Sequence, residues 1–209
     1  LAPLMDHDRS QIVLLHSLLL TLPGAPVLYY GDEIGMGDNI YLGDRNSVRT
    51  PMHWTGDRNA GFSKADPSRL YAPLIQDPVY TYYAVNVEAQ LRSPTSLYYV
   101  LRRLIRIRKK FPEFARGSLK FVPCDNHRIV AFLRQLGGRA LFVVHNLSAV
   151  AQPVQLRLEG FEGSCLVELL GNQIFPPIGA GPYFLSMAPH SFFWFLIGSC
   201  ERPEPMVVK

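Results

Sequence analysis

Apolar positions set the first expectations. From Asp8 to about Thr21, Ile12, Leu15, Leu18, Leu19 and Leu22 recur at helical spacing, with Asp8 or Asp6 placed to cap the first turn. Pro23-Gly24 stops that helix. The next run, Ala25-Pro26-Val27-Leu28-Tyr29-Tyr30, is apolar without alternation and ends at Gly31, which predicts a strand buried on both faces as in a parallel sheet. Helix, break and buried strand make one unit of an alternating α/β architecture. From Gly31 to about Asp77 neither period holds. The stretch is crowded with Gly, Asp, Asn, Arg and Pro, yet it carries Ile34, Met36, Tyr41, Met52, Trp54, Phe62, Leu70 and Tyr71 as anchors. Long patternless segments in compact domains are functional or disordered. The anchors favour an ordered loop at the C-terminal end of a strand, where α/β folds hold their ligands.

Two further helices are expected, a short one around Tyr80–Leu91 and a longer one from about Thr95 to Phe111, bounded by Ser93-Pro94 and Pro112. Beyond Gly117 the pattern changes to strand-length runs at Ser118–Val122, Ile129–Arg134, Ala140–Asn146, Val154–Leu158, Cys165–Leu169, Tyr183–Met187 and Ser191–Ile197. Turn formers such as Asp125-Asn126, Gly137-Gly138 and Glu159-Gly160 separate them. Short strands at this spacing predict an antiparallel β-sandwich, with Phe132, Phe142, Phe192 and Trp194 as core. The expected layout is an α/β part over residues 1–114, the sandwich over 115–199 and a polar tail over 200–209.

Charge alters this picture little. The chain carries +4, but between Leu101 and Lys120 eight basic residues face Glu113 alone, and outside that segment acids outnumber bases sixteen to thirteen. The basic residues fall between Leu97, Val100, Leu101, Leu104, Ile107 and Phe111, so a solvated helix face is favoured over a nucleic-acid surface. A hydrophobic content of 48% excludes a disordered chain. No apolar stretch reaches the roughly 18 residues of a membrane helix. The chain opens Leu1-Ala2-Pro3-Leu4 with no initiator Met and no signal-peptide pattern, which reads as a piece of something longer. Cys124, Cys165 and Cys200 are odd in number and widely spaced, so free thiols in a reducing, cytoplasmic setting are expected.

Candidate chemistry lies in the long loop. Asp32 and Glu33 sit side by side at the mouth of the expected strand; paired carboxylates cleave glycosidic bonds, but adjacent residues point apart, so hydrogen bonding to the loop backbone is the favoured role. Calcium ligation by Asp32, Glu33, Asp38, Asn39 and Asp44 matches no known loop spacing. Arg45 and Arg49 offer planar donors for sugar hydroxyls or, alternatively, salt bridges to Asp44 or Asp57. Trp54 and Phe62 offer faces on which a sugar ring can stack, and His53 alone reads as a packed residue. Gly35-Met36-Gly37 lacks the third glycine and the helix of a phosphate cradle.

Three segments then stand out together: Ala25–Asn39, Arg49-Thr50-Pro51-Met52-His53-Trp54 and Arg58-Asn59-Ala60-Gly61-Phe62-Ser63. They resemble the last barrel strand and following loop of α-amylase-family glycosidases, and within that family the members that interconvert maltose and trehalose. Tyr41-Leu42-Gly43-Asp44-Arg45, Leu70-Tyr71, Val85–Gln90, Asn146-Leu147-Ser148 and Val167–Gly171 extend the likeness into the sandwich. The resemblance implies a (β/α)8 barrel followed by a C-terminal β-sandwich, of which this chain is the closing part. It implies that the nucleophile Asp, the acid/base Glu and the stabilising Asp all lie upstream, so no catalytic residue is expected here; Asp6-His7-Asp8 echoes the last motif but stands where a helix begins. It assigns Arg49 to the innermost glucosyl subsite, with Asp44 and Arg45 as weaker candidates, and departs at His53, where relatives usually place Gln. It implies no cofactor in this chain, any calcium belonging to the missing part. Maltose and trehalose are the expected partners of the whole enzyme, with no nucleic acid or membrane and a homo-oligomer left open. The isolated chain is expected to be inactive, with hydrolysis of maltose or sucrose as the alternative activity. A non-catalytic carbohydrate-binding or interaction module is the alternative outside enzymes.

Overall fold

The computed structural model describes residues 1–201, and most of the expected tail lies outside them. The chain divides into two compact units, Leu1–Val13 with Val27–Arg102, and Leu14–Pro26 with the chain from Arg103 onward. Two of the three divisions fall inside helix α1 (Arg9–Thr21) and helix α3 (Leu97–Lys110), and the third follows Pro26. Among the described residues no helix is long and apolar enough to cross a membrane.

The second unit is built on eight antiparallel strands: β1 (Ser118–Phe121), β2 (Ile129–Leu136), β3 (Arg139–Asn146), β4 (Gln152–Leu156), β5 (Cys165–Glu168), β6 (Ile174–Pro177), β7 (Tyr183–Met187) and β8 (Phe192–Gly198). Six form one sheet in the order β1-β2-β3-β8-β5-β6, and β4 pairs with β7 in a second. On one face of the large sheet Ala131, Leu133, Phe142, Val144 and Phe195 meet Val154, Leu156, Tyr183 and Met187 of the small sheet in a common core. On the other face Phe132, Arg134, His145 and Trp194 are buried as well. The Phe114 ring of helix α4 (Glu113–Arg116) lies 4.9 Å from that of Trp194. Both faces of β2, β3 and β8 are covered, so their apolar runs are nearly continuous instead of alternating. The seven expected strands are present to within two residues at either end. β6 was not expected: Pro176 and Pro177 cannot donate to a ladder, and the strand is tolerated because it sits at the sheet edge.

Three expectations are corrected in this unit. Cys165 and Cys200 are not free thiols: they form a disulfide whose Cα atoms lie 4.9 Å apart, because β5 and β8 pair Cys165 opposite Gly198 and bring the two sulfurs together. Cys124 alone stays free. Arg108 does not lie on a solvated face. It is buried and donates to the carbonyls of Leu20 and Gly24, at and just beyond the end of α1, and to that of Phe114. Arg134 does the same at Thr21 and Gly117, 2.7 and 2.8 Å away. Lastly, the buried face of α1 is rotated from the expected one: Leu14, Ser17, Leu20 and Thr21 are buried while Leu19 and Leu22 are exposed. Leucines surround this helix, so their spacing could not select a face, and the choice falls to Ser17, which is needed as a hydrogen-bond partner inside.

The first unit holds the start of α1, capped by Asp8, whose Oδ1 accepts from the amides of Ser10 and Gln11 at 2.8 and 3.2 Å. Ala25–Tyr30 forms no strand, and Val27 is 80% exposed. A parallel strand exists only through its neighbours, and no strand lies among the described residues of this unit to pair with it. The loop that follows is ordered as expected, through five short 3₁₀ turns between Asp32 and Arg69. Its core is Ile34, Met36, Met52, Ile75 and Val85. Tyr41, Trp54, Phe62 and Tyr71, expected as anchors, are exposed instead. The helix expected at Tyr80–Leu91 is shorter, α2 (Val87–Arg92), beginning where the Asn86 side chain accepts from the Ala89 amide at 2.8 Å. Tyr80 packs so close to Gly37 that a Cβ there would meet its ring at 2.3 Å.

Candidate functional site

A cleft of about 430 Å³ opens on the first unit, wholly within the ordered loop. Tyr30, Glu33 and Arg49 give it a polar end; Trp54, Phe62 and Tyr71 give it an aromatic wall. Met52, buried in the small core, and Thr50 form part of the floor.

Local chemistry explains why these groups meet. Gly31 adopts a φ of 94°, and the turn it makes lets Glu33 fold back to accept from the Gly31 amide at 2.8 Å. Tyr30 donates its hydroxyl to the Thr50 carbonyl at 2.8 Å, tying the Val27–Tyr30 run to the Arg49-Thr50-Pro51 segment. Burial, followed by the adjacent Tyr29, raises the Tyr30 phenol above its ordinary pKa, while Arg49 pulls it the other way. The opposite side is pinned by His53 and Trp54, whose carbonyls accept from Val87 and Glu88, both at 3.0 Å. His53 is fully buried, and its Nδ1 lies 3.0 Å from the Val85 carbonyl. That acceptor places the ring proton on Nδ1 and leaves Nε2 without a protein partner. Burial lowers the His53 pKa, so the ring is neutral and acts as a strut.

The aromatic wall rests on an unusual backbone. Asn59, Ala60 and Gly61 are consecutive left-handed residues, with φ of 56°, 56° and 67°. Such a run costs energy for Ala60 and persists only where its surroundings hold it. Here the Ala60 carbonyl accepts from the amides of Trp54 and Thr55 at 2.8 and 3.1 Å. The Asn59 side chain donates to the carbonyls of Ser63 and Ala65 at 2.9 and 2.8 Å. Together these bonds carry Phe62 to the cleft.

Of the residues singled out from sequence, Arg49, Glu33, Trp54 and Phe62 come together in the cleft. Arg49 is exposed and makes no salt bridge among the described residues. Asp44 and Arg45 do not line the cleft; they pair with each other at 3.4 Å on the exposed surface. Asp32 also lies outside its lining, and no group of three or more His, Cys, Asp or Glu side chains suited to a metal ion occurs among the described residues. Asp8 serves as a helix cap. Sequence reading missed Tyr30 and Thr50 as cleft residues. Their link is a side chain to backbone bond across twenty positions, which no local pattern announces.

Comparison with known proteins places these observations. The model of the alpha amylase catalytic domain matches residues 4–117, and that of the maltogenic amylase C-terminal domain matches residues 119–194. A trehalose synthase of Pimelobacter sp. is 52% identical over 199 residues, covering 93% of this chain and 35% of the relative. A trehalose synthase/amylase of Mycobacterium tuberculosis is 50% identical over 208 residues, covering 98% and 35%. The crystal structure of a trehalulose synthase from Pseudomonas mesoacidophila superimposes with a TM-score of 0.69 at 23% identity, over 90% of this chain and 38% of that one. The chain thus spans about a third of the length of these relatives.

Proposed function

We propose, from the premise that this chain belongs to the α-amylase family, that it is the C-terminal part of an enzyme interconverting maltose and trehalose. The reaction is a retaining, intramolecular glucosyl transfer. The domain boundary is placed between residues 114 and 115, with the sandwich running to 199. The observation that carries the reading is identity of about half to trehalose synthases, continuous through both the cleft-forming loop and the sandwich.

The cleft suits this role. Arg49 and Glu33 supply charged groups to the cleft lining, and Trp54, Phe62 and Tyr71 supply aromatic faces; sugars are held by this combination of directional polar groups and stacking. Arg49 is assigned to the glucosyl unit. Asp44 and Arg45 could act only in a whole enzyme whose other segments reach them. The nucleophile and acid/base carboxylates belong to the part of the family's length that lies upstream, so the 209-residue chain by itself is expected to be inactive. Maltose and trehalose are the substrates, and the cytoplasm is the proposed setting, although the Cys165–Cys200 disulfide removes the thiol argument for it.

Hydrolysis of maltose or sucrose is the second reading, and the printed name of the M. tuberculosis relative, trehalose synthase/amylase, supports hydrolytic activity as such. A binding-module reading finds less support, because Phe132, Phe142 and Trp194 are fully buried and Phe192, expected with them in the core, is half-buried. Product analysis of the whole enzyme on maltose separates the readings. Trehalose in excess over glucose is expected; glucose alone supports the hydrolase, and saturable maltose binding by the sandwich without any turnover supports the module.

A further inference from the structure

The cleft is chemically lopsided. Its polar groups, Arg49 and Glu33, stand apart in character from a wall of Phe62, Leu70 and Tyr71, which offers side chains to stack against a ring but few groups to hold a water molecule. The backbone beneath this wall is tied by hydrogen bonds. Asn59 and Ala60 are buried at 2% and 0% exposure while the next residue, Phe62 after Gly61, is 51% exposed. A Cβ added to Gly61 would lie 2.7 Å from the Thr55 Oγ1, so the turn admits no other residue without a shift. Further along, Asp66 accepts from the Ser68 amide and hydroxyl at 3.0 and 2.7 Å, closing the 3₁₀ turn Pro67–Arg69. That turn delivers Leu70 and the fully exposed Tyr71 to the cleft. At Asn59–Gly61 backbone strain is spent on holding Phe62 free of the core, the reverse of what burial alone would favour.

Resting on the proposed reaction, we infer that Phe62 and Tyr71 are specificity-determining residues: they set the partition between isomerisation and hydrolysis. In the second half of a retaining exchange, the ester bond between C1 of the glucosyl unit and the carboxylate nucleophile breaks. A new C1–O bond forms to the incoming oxygen, whose proton passes to the acid/base carboxylate. With the anomeric hydroxyl of the released glucose as the incoming group the product is trehalose; with water it is glucose. Released glucose must turn before it can present that hydroxyl. Aromatic faces permit turning, because stacking is less directional than hydrogen bonding. Such faces also offer a competing water fewer hydrogen-bond partners than a polar wall would.

The test is the product ratio from maltose, measured on the whole enzyme carrying Phe62→Ala or Tyr71→Ala. Glucose released per maltose consumed is expected to rise, about two- to tenfold for each lost ring, while maltose is still consumed. Phe62→Tyr and Tyr71→Phe, which keep a ring, are expected to hold the wild-type ratio. Phe184→Ala, an exposed aromatic of the sandwich outside this cleft, serves as the control. An unchanged ratio in Tyr71→Ala, whose side chain packs against nothing and so cannot fail through misfolding, overturns the inference and leaves the proposed reaction standing. A wild-type enzyme that yields no trehalose overturns both.

Discussion

The hydroxyl of Ser17 lies 2.8 Å from Nε2 of His145, and the Trp194 Nε1 donates to that same hydroxyl oxygen at 2.8 Å. All three side chains are fully or almost fully buried. Indole nitrogen can only donate, so the Ser17 oxygen accepts from Trp194 and shares a second hydrogen bond with His145. The imidazole, between the Phe132 and Phe192 rings at 6.0 and 5.9 Å, is held neutral by burial with its pKa lowered to about 3.

A pH dependence follows with a definite sign. The unfolded chain binds a proton at His145 below about 6.5, whereas the folded chain refuses it until about 3. Stability therefore falls as pH drops through that window, with a slope of about 1.4 kcal/mol per pH unit for the one proton. His53, also lowered by burial, adds in the same direction. Denaturant melts between about pH 5 and 6.5, above most carboxylate titrations, are expected to show this loss. In His145→Asn the dependence should flatten; an equally steep profile in the variant would place the proton elsewhere.

Ser17→Ala removes the hydrogen-bond partner of two buried groups, Trp194 Nε1 and His145 Nε2. Two unsatisfied groups in a dry site are expected to cost about 2–4 kcal/mol, read as a lower denaturant midpoint. A loss under about 0.5 kcal/mol would mean that the cluster packs without depending on its hydrogen bonds.

Reduction of the Cys165–Cys200 bridge opens a loop of 35 residues and frees the end of β8 from β5. Cys200→Ser is expected to lower stability by about 2–4 kcal/mol. Thiol titration of the unfolded, unreduced protein checks the premise: one reactive thiol, that of Cys124, is expected, and three would refute the pairing.

How far the sequence foretold these features depends on what each one rests on. The sandwich strands were legible because β2, β3 and β8 are long, apolar and β-branched or aromatic, properties that local pattern reports directly. Ala25–Tyr30 reads equally well as a strand, but a strand is completed by partners, and none lies in its unit. The disulfide escaped because pairing two cysteines 35 residues apart depends on the register of β5 against β8, not on cysteine count. In the cleft, Arg49, Trp54 and Phe62 could be nominated from residue chemistry. The left-handed Asn59-Ala60-Gly61 turn could not, since Ala60 gives no local signal for a positive φ.

Gly61→Ala tests that turn. The added methyl meets Thr55 at a φ of 67°, so a stability loss of about 1–2 kcal/mol is expected, together with weaker substrate binding as Phe62 shifts. Unchanged KM and unchanged stability would show that the wall does not depend on this geometry.

The most direct measurement concerns Arg49 in the whole enzyme acting on maltose. If this segment supplies one side of the sugar pocket, Arg49→Ala lowers kcat/KM by about a hundredfold, whereas Arg128→Ala, an exposed arginine of the sandwich, leaves it within about twofold. Equal and small effects from the two substitutions would contradict the placement of the substrate in this cleft.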